Sequence, residues 1–136
     1  MKTRLAATMA ALLLIGAACY AARDKKGLDS TRRYQTSTLA KNFLRLINRG
    51  EYDECRSLMA DDLIGTMSTN RLTKTFDPII DSMGNFSHFK TMGLEKVLVD
   101  DKDYALCRLK GVYEKGSLNL SVLVNPDLQI EGVYVK

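Results

Sequence analysis

Ser117-Leu118-Asn119-Leu120-Ser121-Val122-Leu123-Val124-Asn125 is the stretch whose reading decides the fold. Its even positions, Leu118, Leu120, Val122 and Val124, are apolar, and its odd positions are polar except Leu123. Successive side chains of a strand point to opposite faces, so this period of two makes a strand with one apolar and one mostly polar face. The pattern extends in both directions. In Tyr104 to Tyr113, Ala105, Cys107 and Leu109 share one parity while Arg108 and Lys110 hold the other. Leu94 to Val99 reads as a strand before it, and Leu128 to Lys136 as one after it. In that last segment Leu128 and Ile130 have one parity, Val133 and Val135 the other; a bulge at Gly132 is expected to bring all four to one face.

The links between these segments are short and rich in turn residues: Asp100 to Asp103, Glu114-Lys115-Gly116 and Asn125-Pro126-Asp127. Short links join antiparallel neighbours. A meander with one apolar face needs a covering layer, and the residues before Leu94 supply helices. Leu39, Phe43, Leu46 and Ile47 recur at helical spacing after Ser37 or Thr38 as caps, with Gly50 suited to the end. A short second helix places Tyr52, Cys55, Leu58 and Met59 inward. A third begins near Ser68 or Thr69, carries Leu72, Phe76, Ile79, Ile80 and Met83, and stops at Gly84. Pro78 lies inside it, which predicts a kink between Lys74 and Asp77 or two short helices. The expected fold is therefore α+β: three helices on a curved antiparallel sheet of about four strands.

The start of the chain reads differently. Lys2 and Arg4 precede an apolar run from Leu5 to Ala22, the pattern of an export signal. Gly16-Ala17-Ala18 puts small residues before Cys19, which suits peptidase cleavage and also lipid attachment to Cys19. The bacterial lipoprotein box usually carries Leu where Gly16 stands. An uncleaved anchor fits as well, since eighteen residues as a helix reach ~27 Å. A buried N-terminal helix is the alternative without export. The expected division is 1–26 leader or anchor, 27–36 linker and 37–136 one domain, with the product in the cell envelope or outside the cell.

Charge follows the same division. Residues 1–26 hold five basic residues and one acidic, which accounts for the whole formal charge of +4; the remainder holds fifteen of each. A nucleic-acid-binding domain needs a basic patch to displace counterions from phosphates, and no basic run is present after residue 26.

Motifs that carry chemistry are sparse. His88 is the only histidine and no G-x-S-x-G elbow accompanies it, so no Ser-His-acid triad is specified. Asp100, Asp101 and Asp103 are followed by Ala105 and Gly111 where a calcium loop needs Gly and Glu, which favours a solvated turn. Cys55 and Cys107 fall on inward faces, as a disulfide or as two small buried thiols. No metal or other cofactor is implied.

The order of elements resembles a known superfamily. A first helix ends in Asn48-Arg49-Gly50-Glu51-Tyr52, a short helix follows, and a third carries Leu72 and Phe76 and stops at Gly84-Asn85-Phe86. The meander ends in Val124-Asn125-Pro126-Asp127-Leu128-Gln129-Ile130-Glu131-Gly132. This resembles the nuclear-transport-factor-two-like superfamily, a cystatin-like cone. More narrowly, it resembles an uncharacterised bacterial family of exported domains that occur alone or in front of an α/β-hydrolase domain. The resemblance implies a pocket between helices and sheet and no particular chemistry.

Inward parity then nominates Phe43, Phe76, Ile80, Cys107, Leu109, Leu120 and Val122 as pocket lining, with Tyr134 as a polar group at the mouth. Enzymes of the superfamily place an acid or base and a tyrosine inside the cone, and Tyr34, Tyr113, Tyr134, Asp77 and Asp81 are the residues available for that. The preferred reading is a non-enzymatic module that binds an apolar or amphipathic small molecule or an envelope protein. The alternatives are a small pocket enzyme of isomerase or dehydratase type and an accessory domain to a separately encoded hydrolase. A homodimer is compatible with all three.

Overall fold

The computed structural model describes the backbone of residues 20–24 and the whole of residues 28–136. The elements in order are β1 (Tyr20–Asp24), α1 (Ser30–Asn48), α2 (Tyr52–Arg56), α3 (Asp61–Ile64), α4 (Thr69–Met83), β2 (Phe86–Val99), β3 (Lys102–Tyr113), β4 (Gly116–Val124) and β5 (Ile130–Val135). The sheet is antiparallel throughout, in sequence order from β1 to β5. Apart from β1, the expected leader and Cys19 lie outside the described residues.

The four long strands form the meander that the alternation predicts. Ala105, Cys107 and Leu109 pair with Val124, Val122 and Leu120, and this face meets the helices. The bulge in β5 is present and its extra residue is Glu131: Leu123 pairs with Gly132 while Val124 pairs with Ile130. Ile130, Val133 and Val135 are thereby all buried in the core. Two-residue links suffice for the first hairpins. Asp100 and Asp101 both have positive φ, the twist-matching geometry of a tight hairpin turn.

The helices lie on one face. Phe43 from α1 and Phe76 from α4 meet edge to face at 6.5 Å between ring centres, and both are fully buried. Such a pair adds about 1 kcal/mol beyond its burial. Gly111 on β3 lets α1 come close: a Cβ there would meet Leu44 Cδ2 and Tyr113 Cε1, both at 3.0 Å. At the end of α1, Gly50 takes φ +70°, Glu51 N–H donates to Leu46 O and Gly50 N–H to Ile47 O, as a Schellman cap requires.

Four expectations need correction. The first helix begins at Ser30, not after Thr36, so residues 30–36 are helix rather than linker. Asp29 caps it by accepting from Arg32 N–H, in place of Ser37 or Thr38. Arg32 also donates to the carbonyls of Asp103 and Asn125, at 3.1 Å each. That anchorage joins residues far apart in sequence, and local capping rules cannot see it. Second, the buried stripe of α1 is Thr36, Ala40, Phe43, Leu44 and Ile47, rotated from the expected one so that Leu39 and Leu46 sit at its rim. Third, α4 runs through Pro78 as one helix, which removes the alternative of two short helices. Fourth, a short fourth helix, α3, separates the second and third expected ones, with Leu63 as its buried residue.

Candidate functional site

Six of the residues nominated for an interior pocket are brought together inside the domain. Phe43, Phe76, Cys107, Leu109, Leu120 and Val122 belong to one buried cluster, with Ile80 half-buried against it. Tyr134 is not among them. It pairs with Ser121 on the opposite face of the sheet, because the bulge at Glu131 turns Val133 and Val135 inward and leaves Tyr134 outward. None of the eight lines the surface hollows described below.

The acid and tyrosine candidates are scattered. Asp81 is exposed, and Tyr113 is buried with its hydroxyl donating to Asn48 Oδ1. Asp77 does meet a tyrosine, though not a nominated one: Tyr52 Oη donates to Asp77 Oδ1 at 2.5 Å. Burial raises the Tyr52 hydroxyl first, and the Asp77 hydrogen bond and charge raise it further. The bond joins α2 to α4 and engages both groups with each other. His88 is exposed on β2, its Nδ1 3.0 Å from the Oγ of its neighbour Ser87. Cys55 and Cys107 are free and buried, and burial pushes their thiols up to about 12 and about 11, which favours the protonated form at neutral pH.

Two hollows are formed by side chains that sequence reasoning did not group. The larger, about 550 Å³, lies where α3, the β4–β5 loop and the start of β3 converge. Its floor is set by backbone. Ala60 N–H donates to Ile130 O and Ile130 N–H to Leu58 O, which seats Asp61 and Asp62 beside β5. Asn125 holds the loop: its Oδ1 accepts from the N–H groups of Asp127 and Gln129, and its Nδ2 donates to Gln129 Oε1 and Glu131 Oε2. Asp61, Asp62, Asp127 and Glu131 face one lysine, Lys102, across the hollow. The Tyr104 hydroxyl is raised by burial first and then by Glu131, Asp100, Asp62 and Asp127. Among the described residues no cluster of carboxylate, Cys or His groups is placed to hold a metal ion.

The second hollow, about 380 Å³, lies between the first half of α1 and the middle of β2 and is lined by Arg33, Tyr34, Ser37 and Thr91 to Leu94. Met92 is the extra residue of a bulge, since Thr91 pairs with Leu109 and Gly93 with Arg108. A bulge re-aims a side chain, and here it accompanies a methionine 53% exposed. Tyr34, 74% exposed, lines the same hollow from α1. Tyr, Met and Arg are the residue types enriched in protein interfaces. The signal for this groove was Tyr34 itself, polar-tipped and off the buried stripe; its partner Met92 could not be read without the bulge.

Comparison with known proteins agrees with this picture of a fold without an assigned chemistry. No curated protein matches the chain. A protein from Ruminococcus gnavus, solved by NMR, is similar in structure, with a TM-score of 0.66 and 18% identity over 82% of this chain and 94% of that one. At that identity the likeness concerns the fold. A family model described as "Protein of unknown function (DUF3887)" matches residues 40–133, from the middle of α1 into β5. Most of the domain is covered by that match, and the chain belongs to the DUF3887 family.

Proposed function

We propose that this chain is an exported, non-enzymatic interaction module of the cell envelope that binds a partner protein through the Tyr34–Met92 groove. The observation that carries the reading is the contrast between a buried apolar cluster and that groove. The six inward residues once assigned to a ligand cavity pack on one another, while two large apolar side chains are exposed together beside Arg33. Large apolar groups exposed together suit recognition of a partner surface. Export rests on the Lys2, Arg4 and Leu5–Ala22 pattern, with lipid attachment at Cys19 or retention as an anchor as forms of tethering. The resemblance to the nuclear-transport-factor-two-like cone supports a module of this kind, including one that accompanies a hydrolase encoded elsewhere.

The test is affinity capture from envelope fractions of the source cells with the full chain and with a Tyr34→Ala, Met92→Ala chain. A defined protein retained by the first and lost by the second is the expected result. Identical capture by both sinks the groove, and accumulation of the full chain in the soluble cytoplasm sinks export. A second reading, the small pocket enzyme, is favoured by one observation, the acid–tyrosine contact of Asp77 with Tyr52. Turnover abolished by Asp77→Asn with folding intact would replace the first reading with the second.

A further inference from the structure

A free edge of the sheet runs beside the Tyr34–Met92 groove. Among the described residues, β1 pairs only with Lys96 to Val99, and no strand lies on that side of Phe86 to Glu95. Ser87, His88, Lys90, Thr91 and Met92 are exposed. Bulges at Ser87 and Met92 bound a regular stretch, His88 to Thr91. In an edge strand alternate residues turn their N–H and C=O groups away from the sheet, an open template for one more strand.

Both sides of that edge are basic. On the helix side, Arg33, Ser37, Lys41 and Arg45 follow one another at four-residue spacing along α1, which puts them in one row. Arg33 and Ser37 line the groove with Thr91 to Leu94, and the Arg45 guanidinium stands 5.2 Å from the centre of the Phe89 ring, so the row follows β2. On the other side of the sheet, Lys90 sits opposite Lys110. No acidic residue occurs in α1 or between Phe86 and Leu94. Among the described residues, none of Arg33, Lys41, Arg45, Lys90 and Lys110 makes an ion pair.

We propose that this edge takes a short, extended, acidic segment of a partner protein, added as a strand along β2 beside α1, with one large apolar side chain of the segment between Tyr34 and Met92. This gives the mode and chemistry of binding at the groove, and it rests on the reading of that groove as a protein interface. Main-chain hydrogen bonds to His88–Thr91 hold the segment, and its side chains select it. Successive side chains of an added strand turn to opposite sides. One set meets Arg33, Lys41 and Arg45, the other Lys90 and Lys110, so carboxylates are favoured on both. Charge also decides against a second copy of this chain, which would set the same cations against themselves across a two-fold axis. The domain is neutral as a whole, and carboxylates that balance these cations gather elsewhere, as around Lys102, not at this edge.

Selection of displayed random peptides, with the full chain as bait, tests this. Selected peptides are expected to be rich in Asp and Glu around one large apolar residue, and a bound peptide is expected to slow amide hydrogen exchange at Phe86–Met92. N-methylation of the peptide backbone at alternate positions should weaken binding roughly tenfold at one parity and little at the other. Arg33→Glu together with Lys90→Glu, both exposed, should weaken it roughly tenfold without moving the unfolding midpoint. Recovery of no peptide, peptides without acidic preference, protection outside β2, or indifference to N-methylation would each overturn the proposal. In capture from envelope fractions, a partner lost by the Tyr34→Ala, Met92→Ala chain but kept by the charge-reversed chain would overturn it too, while leaving the groove itself standing.

Discussion

The two faces of the sheet differ in how they are built. The helix-facing side draws on all four described helices and three strands and merges into one continuous cluster around Phe43 and Phe76. Among the described residues, the outer side carries a strip of four buried apolar residues at one end. Elsewhere it presents polar pairs such as Lys90 opposite Lys110 and Arg108 bonded to Glu95 at 2.9 Å. The lesson is that period two tells which side chains share a face, but not what meets that face. Leu123 was the lone exception to the alternation of β4, and it is the residue that extends the outer strip to β4.

The sharpest way to break the comparison is to truncate one residue on each side. Phe76→Ala, in the fully buried edge-to-face pair, is expected to cost about 4 kcal/mol in denaturant unfolding, and Leu106→Ala on the outer strip about 2 kcal/mol. Equal losses would mean that the strip is as deeply supported as the core. Next in size is the corner where the faces meet. Asn125→Ala removes the acceptor of two backbone N–H groups and is expected to cost about 2 kcal/mol by the same measurement.

A pH experiment sharpens the inner face further. Burial raises the Tyr113 hydroxyl from 10.0 to about 12, partly opposed by its Asn48 hydrogen bond. The folded state then holds this proton longer than the unfolded chain does. Its contribution is complete below pH 10 and is lost as pH rises from 10 toward 12. Tyr113→Phe should make the alkaline decline shallower by roughly 1.4 kcal/mol per pH unit in that window. Tyr52 shifts in the same direction and remains in both proteins, so the difference isolates Tyr113. The smallest effect is expected at the groove. Tyr34→Ala should change stability by less than about 0.5 kcal/mol, while it weakens partner binding by about 2 kcal/mol, near thirty-fold, if it anchors the interface.

Much of the fold was legible because its signals are local. Alternation in β3 and β4, the Gly50 stop and the parity switch near Gly132 each lie within a few residues. The start of α1 was not, since Arg32 secures it to Asp103 and Asn125, about seventy and ninety residues away. The site was less legible still. Asp61, Asn125 and Glu131 meet through the pairing of Ala60 with Ile130, and Tyr34 meets Met92 through a bulge that composition does not announce. Inward parity found the right residues for the interior, but it cannot distinguish a lined cavity from a packed one.

The short strand β1 has a consequence for processing. Its backbone pairs along Lys96 to Val99, so it occupies part of what would otherwise be the free edge of β2. Cutting the chain before Cys19 would leave Tyr20–Asp24 in place and that edge closed. Cutting after Ala22 would remove most of the strand and expose unpaired amide and carbonyl groups, a template on which a strand from another molecule could add. The position of the cut by a few residues would then decide between a monomer and a chain prone to edge-to-edge self-association.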